Sequence, residues 1–388
     1  MKEIIYLDNS ATTKPFQEVV DEVMKYMIDE YGNPSSLYRM GITAEKGIRS
    51  SREEVAKAIN SLPEEIFFTS GGTESNNLAI WSAFHSKQLR DRPLHMITTE
   101  IEHPSVYEMF RYFEKLGVET TYLAVDRSGR IDLKQLEDSI KDNTCLVSIM
   151  HVNNEIGTIQ EVEEIGNIIF QRNPKTLFHV DGVQAFCRVP ISLKNSNIHF
   201  YTMSGHKIHG PKGVGALYIK KGVRHTGMFY GGGQEQGLRP GTENVPAIMG
   251  FGKAVQIYYK NADKYRSHLM KLKQTLSQEM LSRIHGTTIN GPHPHEGAPH
   301  IINISFTGVR AEVLLHALEQ RGIMVGTGSA CSSRRRRVSH VLTAIGLNHA
   351  QAEGAIRFSL SPLNTEEEIY KTVEGTSHIV KELRRFRR

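Results

Sequence analysis

Ile66-Phe67-Phe68-Thr69-Ser70-Gly71-Gly72-Thr73-Glu74-Ser75-Asn76-Asn77 passes from a short apolar run, through two glycines, into a helical pattern that continues to His85. A strand, a tight turn and a helix in that order form the first unit of a β-α-β rhythm. The rhythm continues on the C-terminal side. Met96-Ile97-Thr98 precedes a helical spacing at Val106, Phe110 and Phe113, and Thr121–Ala124, Cys145–Met150, Leu177–Val180 and Ile198–Met203 extend the strand series. Short apolar strands alternating with helices predict an α/β fold, with a mostly parallel sheet covered by helices on both faces. A helical stretch from about Asn244 to Arg283 breaks the rhythm. The strands Ile301–Phe306 and Ile356–Leu360 follow among helices, as in a smaller α+β domain. The expected division is a large domain over 15–257 and a small domain from 1–14 with 258–388.

Composition narrows the class. Of the 388 residues, 39% are hydrophobic and 23% charged, which suits a globular chain rather than a disordered one. No apolar run reaches the ~18 residues of a membrane span, and Met1–Asp8 carries no signal-peptide core. Three cysteines, Cys145, Cys187 and Cys331, cannot build a disulfide framework in so long a chain. A cytoplasmic protein is expected. The net charge of +5 comes from two basic runs, Arg334–Arg337 and Lys381–Arg388, on a mildly acidic body. Such runs attract acidic partners or remain solvated surface.

Several chemistries lack their motif. There is no GxxxxGK[ST], no GxGxxG at the first strand–helix turn, no CxxC pair and no HExxH. His293, His295 and His300 share a Gly- and Pro-rich loop without a metal-ligand pattern, so no metal is expected. Three other pieces fit one another. Gly71 and Gly72 at a helix start can present backbone N–H groups to a phosphate, although a glycine turn with a threonine cap explains the same residues. Asp181 ends the apolar strand of Phe178-His179-Val180-Asp181, where open α/β sheets place ligands and where a helix N-cap would also stand. Lys207 follows the strand Phe200–Met203 in Ser204-Gly205-His206-Lys207, 26 residues after Asp181. A phosphate cradle, an anion for a pyridinium nitrogen and a Schiff-base lysine are what pyridoxal 5'-phosphate requires.

YLDNSATTKP (6–15), YGNPSS (31–36), TSGGTESNNLAI (69–80), HVNNEIG (151–157), HVDGVQ (179–184), SGHKIHGPKGVGALY (204–218), RPGTEN (239–244), GSACSS (328–333) and IRFSL (356–360) stand in this order. Together they closely resemble the cysteine desulfurases of the class V aminotransferase group. The resemblance runs from about Tyr6 to about Leu363. It implies the fold-type I architecture, with a seven-stranded sheet in the large domain, a homodimer, L-cysteine as substrate and a sulfur-acceptor protein as partner.

By the same resemblance, Lys207 links to the cofactor and moves the substrate Cα proton. Asp181 pairs with the ring nitrogen and Gln184 with the ring hydroxyl. Gly72, Thr73, Ser204 and His206 hold the phosphate, joined by Thr242 from the partner subunit. His103 stacks on the ring and serves as an acid–base group. Arg357 binds the substrate carboxylate, assisted by Asn154, which also lies against the cofactor. Cys331 carries the sulfur as a persulfide. Its surroundings, rich in Gly and Ser and followed by four arginines, favour a thiolate, whereas Cys145 and Cys187 lie in or beside apolar strands.

Two departures from the family pattern stand out. Gly182 follows the cofactor aspartate where many relatives have Ala, removing a methyl near the ring. Arg334–Arg337 replace a more neutral run, and the chain ends soon after its last helix, at Arg388. These features suggest a sulfur donor for a tRNA-thiolating enzyme or similar acceptor, without direct nucleic-acid contact. The competing readings are a selenocysteine lyase, an aminotransferase-like enzyme with Cys331 incidental, and a non-catalytic RNA-binding or scaffold protein.

Overall fold

The computed structural model describes residues 4–85, 94–327 and 339–385. Seven strands form the large sheet: β2 (Ile66–Thr69), β3 (His95–Thr99), β4 (Glu119–Leu123), β5 (Thr144–Met150), β6 (Leu177–Asp181), β7 (Phe200–Ser204) and β8 (Gly215–Ile219), preceded in the chain by β1 (Ile5–Tyr6). Their spatial order is β2-β8-β7-β6-β5-β3-β4, and β8 alone runs antiparallel to its neighbours.

Residues on these strands are apolar on both faces, as a sheet covered on both sides requires. Phe68, Val147, Val180 and Tyr201 pack on one side. There they meet α1 (Gln17–Ile28), α2 (Arg39–Ala58) and, later in the chain, α7 (Val245–Lys260). Phe67, Met96, Leu146 and Phe200 pack on the other, against α3 (Gly72–Phe84) and α4 (Pro104–Lys115). Helices α5 (Leu133–Ser139) and α6 (Val162–Arg172) make the crossovers into β5 and β6, and a run of turns joins β6 to β7. The register opposes Asp181 to both Met150 and Thr202. The carboxyl ends of β2, β3, β5, β6 and β7 therefore open on one edge, where α/β sheets bind ligands.

The helical stretch anticipated from Asn244 to Arg283 is two helices. Asn261 ends α7 and begins α8 (Ala262–Arg283), with its side chain donating to Ile257 O at 2.8 Å. The expected cut at 257 falls in the last turn of α7. Beyond α8, β10 (Ile301–Phe306) lies between β9 (Thr287–Asn290) and β12 (Ala355–Ser359), and β1 pairs in parallel with β11 (Ile323–Met324). A second core forms here from Leu272, Leu276, Ile304, Phe306, Leu314, Phe358 and Val373. It is covered by α8, α9 (Ala311–Gln320) and the terminal helix Glu366–Arg385. Bridges from Asp8 to Ser359 and from Gly326 to Arg357 tie the N-terminal segment to β12, while bonds from Lys207 to Ser10 O and from Arg357 to Asn154 O join this unit to the edge of the large sheet.

Candidate active site

Four segments at the carboxyl edge supply the residues singled out in the sequence. After β2, Gly71 has φ +150°, and α3 begins at Gly72. A Cβ on Gly72 would sit 2.7 Å from Val183 Cγ2 and 3.8 Å from Ser204 Cβ, so only glycine brings this backbone so near the ends of β6 and β7. Ser204 is buried, and its Oγ has no hydrogen-bond partner among the described residues. A buried hydroxyl beside a helix N-terminus and a close-approaching glycine is the donor set a phosphate needs. The residues fit the phosphate of pyridoxal 5'-phosphate. Thr73 is exposed on the first turn, and His206 meets Thr12 Oγ1 at 3.1 Å. Burial, with Lys207, Lys212 and Arg188 nearby, pushes His206 down to about 3, so this ring is neutral near pH 7.

Asp181 is almost wholly buried. One carboxylate oxygen accepts from Val183 N at 3.0 Å, the other from Asn76 Nδ2 at 2.8 Å. The same Asn76 nitrogen donates to Ser105 Oγ at 2.8 Å, and Ser105 Oγ lies 2.8 Å from His103 Nδ1. His103 is the N-cap of α4, with Pro104 at the first helical position. Burial lowers its pKa most, with Asp181 opposing and Lys207 and His340 adding to the shift. Ser105 N donates to Nδ1 at 3.2 Å, so the neutral ring carries its proton on Nε2. An aspartate, an amide, a hydroxyl and an imidazole thus form one chain of hydrogen bonds. Neither Asn76 nor Ser105 has a role in the sequence reading, although Asn76 lies within TSGGTESNNLAI.

Lys207 ends the turn after β7. Its Nζ donates to Ser10 O at 2.6 Å and Ala11 O at 2.8 Å. Gln184 Nε2 donates to the same Ser10 carbonyl at 3.0 Å. Ser10 therefore joins the two residues expected at the cofactor's reactive end. Gly182 has a steric reason to be glycine. A Cβ there would fall 2.1 Å from Tyr201 Cζ, so the space of the missing methyl belongs to a buried tyrosine whose hydroxyl meets His151 Nδ1 at 3.2 Å.

Arg357 is buried on β12. Its guanidinium donates to the backbone carbonyl of Asn154 at 2.9 Å and to Asp8 Oδ1 at 2.7 Å, while Nε has no partner among the described residues. Asn154 thus meets Arg357 through its main chain. A Cβ on Gly326 would lie 2.5 Å from Asp8 Oδ1 and 2.9 Å from Arg357 Nη2, so this glycine allows the ion pair to form. Glu102, beside His103, is fully buried. Burial raises it to about 8; Oε1 accepts from Thr99 Oγ1 and Met150 N, and Oε2 has no partner among the described residues.

Thr242 stands apart. It is exposed between Gly237 and α7, and no hydrogen bond among the described residues ties it to Gly72 or Ser204. Cys331 and Arg334–Arg337 lie outside the described residues. Just beyond them, Ser339 caps α10 (His340–Ala344) and donates to Glu155 Oε2 at 2.6 Å, and His340 Nε2 meets the Glu102 carbonyl at 3.0 Å.

The chain matches the class-V aminotransferase family over residues 5–371. It is 43% identical to a cysteine desulfurase of Trichormus azollae, over 98% of this chain and 94% of that protein. The cysteine desulfurase IscS of Methanosarcina thermophila is also 43% identical, over 98% of this chain and 93% of its own. Among solved structures, a NifS-like protein superposes with a TM-score of 0.91 at 38% identity, covering 98% of this chain and 100% of that one.

Proposed function

From the premise that the chain belongs to the class-V aminotransferase family and is a pyridoxal-phosphate-dependent cysteine desulfurase acting on L-cysteine, we propose how its residues divide the work. The observation that carries the assignment is the meeting of Asp181, Lys207, Gln184, His103 and an unpartnered Ser204 hydroxyl at one sheet edge. Bound pyridoxal phosphate supplies an electron sink for negative charge at the substrate Cα.

Gly72, Thr73, Ser204 and His206 hold the phosphate, and Asp181, fixed by Asn76, keeps the ring nitrogen protonated. Gln184 donates to the ring oxygen. Lys207 tethers the cofactor and moves the Cα proton. His103 and Asn154 would lie against the ring, and the transferable proton of His103 is on Nε2. Arg357 binds the substrate carboxylate; Asp8 is the counter-charge the incoming anion shares or displaces. The Cys331 thiolate then forms an S–S bond with the substrate sulfur as the substrate C–S bond breaks. The carbon keeps that bond's electrons and takes a proton, leaving alanine and a persulfide.

The physiological assembly is a homodimer in which Thr242 of one subunit completes the phosphate site of the other. The support is an apolar run exposed on one chain: Met24, Met27 and Ile28 of α1, then Tyr31, Leu37 and Tyr38, with Leu37 94% exposed. Mixed dimers of Lys207→Ala and Thr242→Ala subunits test this, because each mixed dimer would regain one intact site of its two only if Thr242 acts across the interface. The large unit over 15–257 carries the cofactor, and the small unit of 1–14 and 258–388 carries Arg357 and Cys331. Among the described residues no helix is long and apolar enough to cross a membrane; a cytoplasmic location is proposed. The acceptor is a tRNA-thiolating enzyme or similar protein, steered by Arg334–Arg337. If neutralising these arginines leaves transfer to tested acceptors unchanged at low salt, the steering is wrong.

A further inference from the structure

Arg188 is a buried cation on the turn that follows Asp181 and Gln184; it is 4% exposed. No carboxylate among the described residues forms an ion pair with it, yet a buried guanidinium needs compensation. Its hydrogen bonds go to two groups. Nη1 donates to Gln184 Oε1 at 3.1 Å, and Nη2 donates to the backbone carbonyl of Lys207. Nε has no partner among the described residues.

We propose that Arg188 is a positioning residue that fixes the amide of Gln184 as a donor toward the cofactor ring oxygen while tying down the main chain of Lys207. The argument is one of hydrogen-bond polarity. A guanidinium can only donate, so the amide atom facing it must be the oxygen, and the amide nitrogen must face the other way. That nitrogen has two hydrogens. One goes to Ser10 O at 3.0 Å, and the second remains for a ligand. His300 supports the same orientation: its Nε2 is 3.4 Å from Gln184 Oε1, Nδ1 has no partner, and burial keeps the ring neutral. A neutral imidazole could adopt either tautomer, whereas the guanidinium has no alternative, so Arg188 decides the polarity. The anionic ring oxygen would in turn lie one residue away from the cation that otherwise lacks a counter-charge.

The inference rests on the assignment of Gln184 to the ring oxygen, and the test separates the two. Cofactor affinity is measured by titrating pyridoxal phosphate into the full-length chain stripped of it, following the absorption maximum of the bound form, for Gln184→Ala, Arg188→Met, Arg188→Lys and Gln184→Ala/Arg188→Met. Each of the first two is expected to weaken binding about tenfold and to move the absorption maximum the same way. The double variant is expected to match Gln184→Ala rather than multiply the losses. Arg188→Lys should recover part of the affinity, because an ammonium can reach one of the two acceptors but lacks the planar fork. Wild-type affinity in Arg188→Met, or a double variant weakened about a hundredfold, would overturn the proposal. Wild-type affinity in Gln184→Ala would overturn the ring-oxygen assignment instead. Should Arg188→Met not fold, the same cycle with Arg188→Lys decides by the same criterion.

Discussion

Gly182→Ala places a methyl carbon 2.1 Å from Tyr201 Cζ and 2.2 Å from Cε1, far inside van der Waals contact. Tyr201 cannot step aside. Its ring is fully buried, and its hydroxyl is held by His151. The backbone of 181–183 must therefore shift, and Asp181 with it. Overpacking of this kind costs about 1–3 kcal/mol, offset by about 0.4–1 kcal/mol from the stiffer unfolded chain. The net expectation is a loss of about 1–2 kcal/mol, together with weaker cofactor binding. Tyr201→Leu removes the obstacle but leaves a cavity and an unpaired His151, for a loss of about 2–4 kcal/mol. In the double variant the new methyl occupies part of that cavity, so the combined loss should fall short of the sum by at least about 1 kcal/mol. Urea unfolding of the four proteins gives the coupling directly. Losses that add to within about 0.5 kcal/mol would refute the claim that Gly182 and Tyr201 are a matched pair.

Three further outcomes follow from the site. Arg357→Lys keeps the charge but loses the two-pronged grip, so KM for L-cysteine should rise at least about tenfold, with a smaller change in kcat; an unchanged KM removes Arg357 from substrate binding. Gly326→Ala intrudes on Asp8 and Arg357 and should raise KM in the same direction, read by the same steady-state assay. Glu102 is raised to about 8 by burial, so the unfolded chain ionises first, and this residue's contribution to stability is present below about pH 4.5 and is lost as pH rises toward 8. Glu102→Gln should therefore gain on wild type by about 1–3 kcal/mol between pH 5 and pH 7.5; a gap in urea midpoints that does not widen with pH contradicts the neutral-carboxyl reading.

The parallel sheet was legible because β2, β3, β5, β6 and β7 are short apolar runs bounded by turns, each within a few residues of its expected limits. Strand β8 was not, because its buried residues Gly215–Ile219 follow a Gly-rich turn and look like its continuation. The break at Asn261 was hidden since the helical spacing continues through it, and only the cap shows the chain changing direction. At the site, Asp181 and Lys207 could be found from the kind of residue needed at a strand end. Asn76 could not be given its role, because its partners Ser105 and Asp181 lie 29 and 105 positions away, and an asparagine in a helix carries no sign of what it will touch. Arg188 was silent for the same reason: beside Val189 and Pro190 it reads as a solvated cation, and its burial is a property of the tertiary fold.

The most direct test is the alanine and sulfide released from L-cysteine, with a reducing thiol present, by wild type, Lys207→Ala and Cys331→Ser, each loaded with pyridoxal phosphate. The account predicts alanine and sulfide in equal amounts from wild type and neither from the two variants. Equal alanine from wild type and Cys331→Ser would contradict Cys331 as the sulfur carrier, and a keto acid in place of alanine would contradict desulfuration itself.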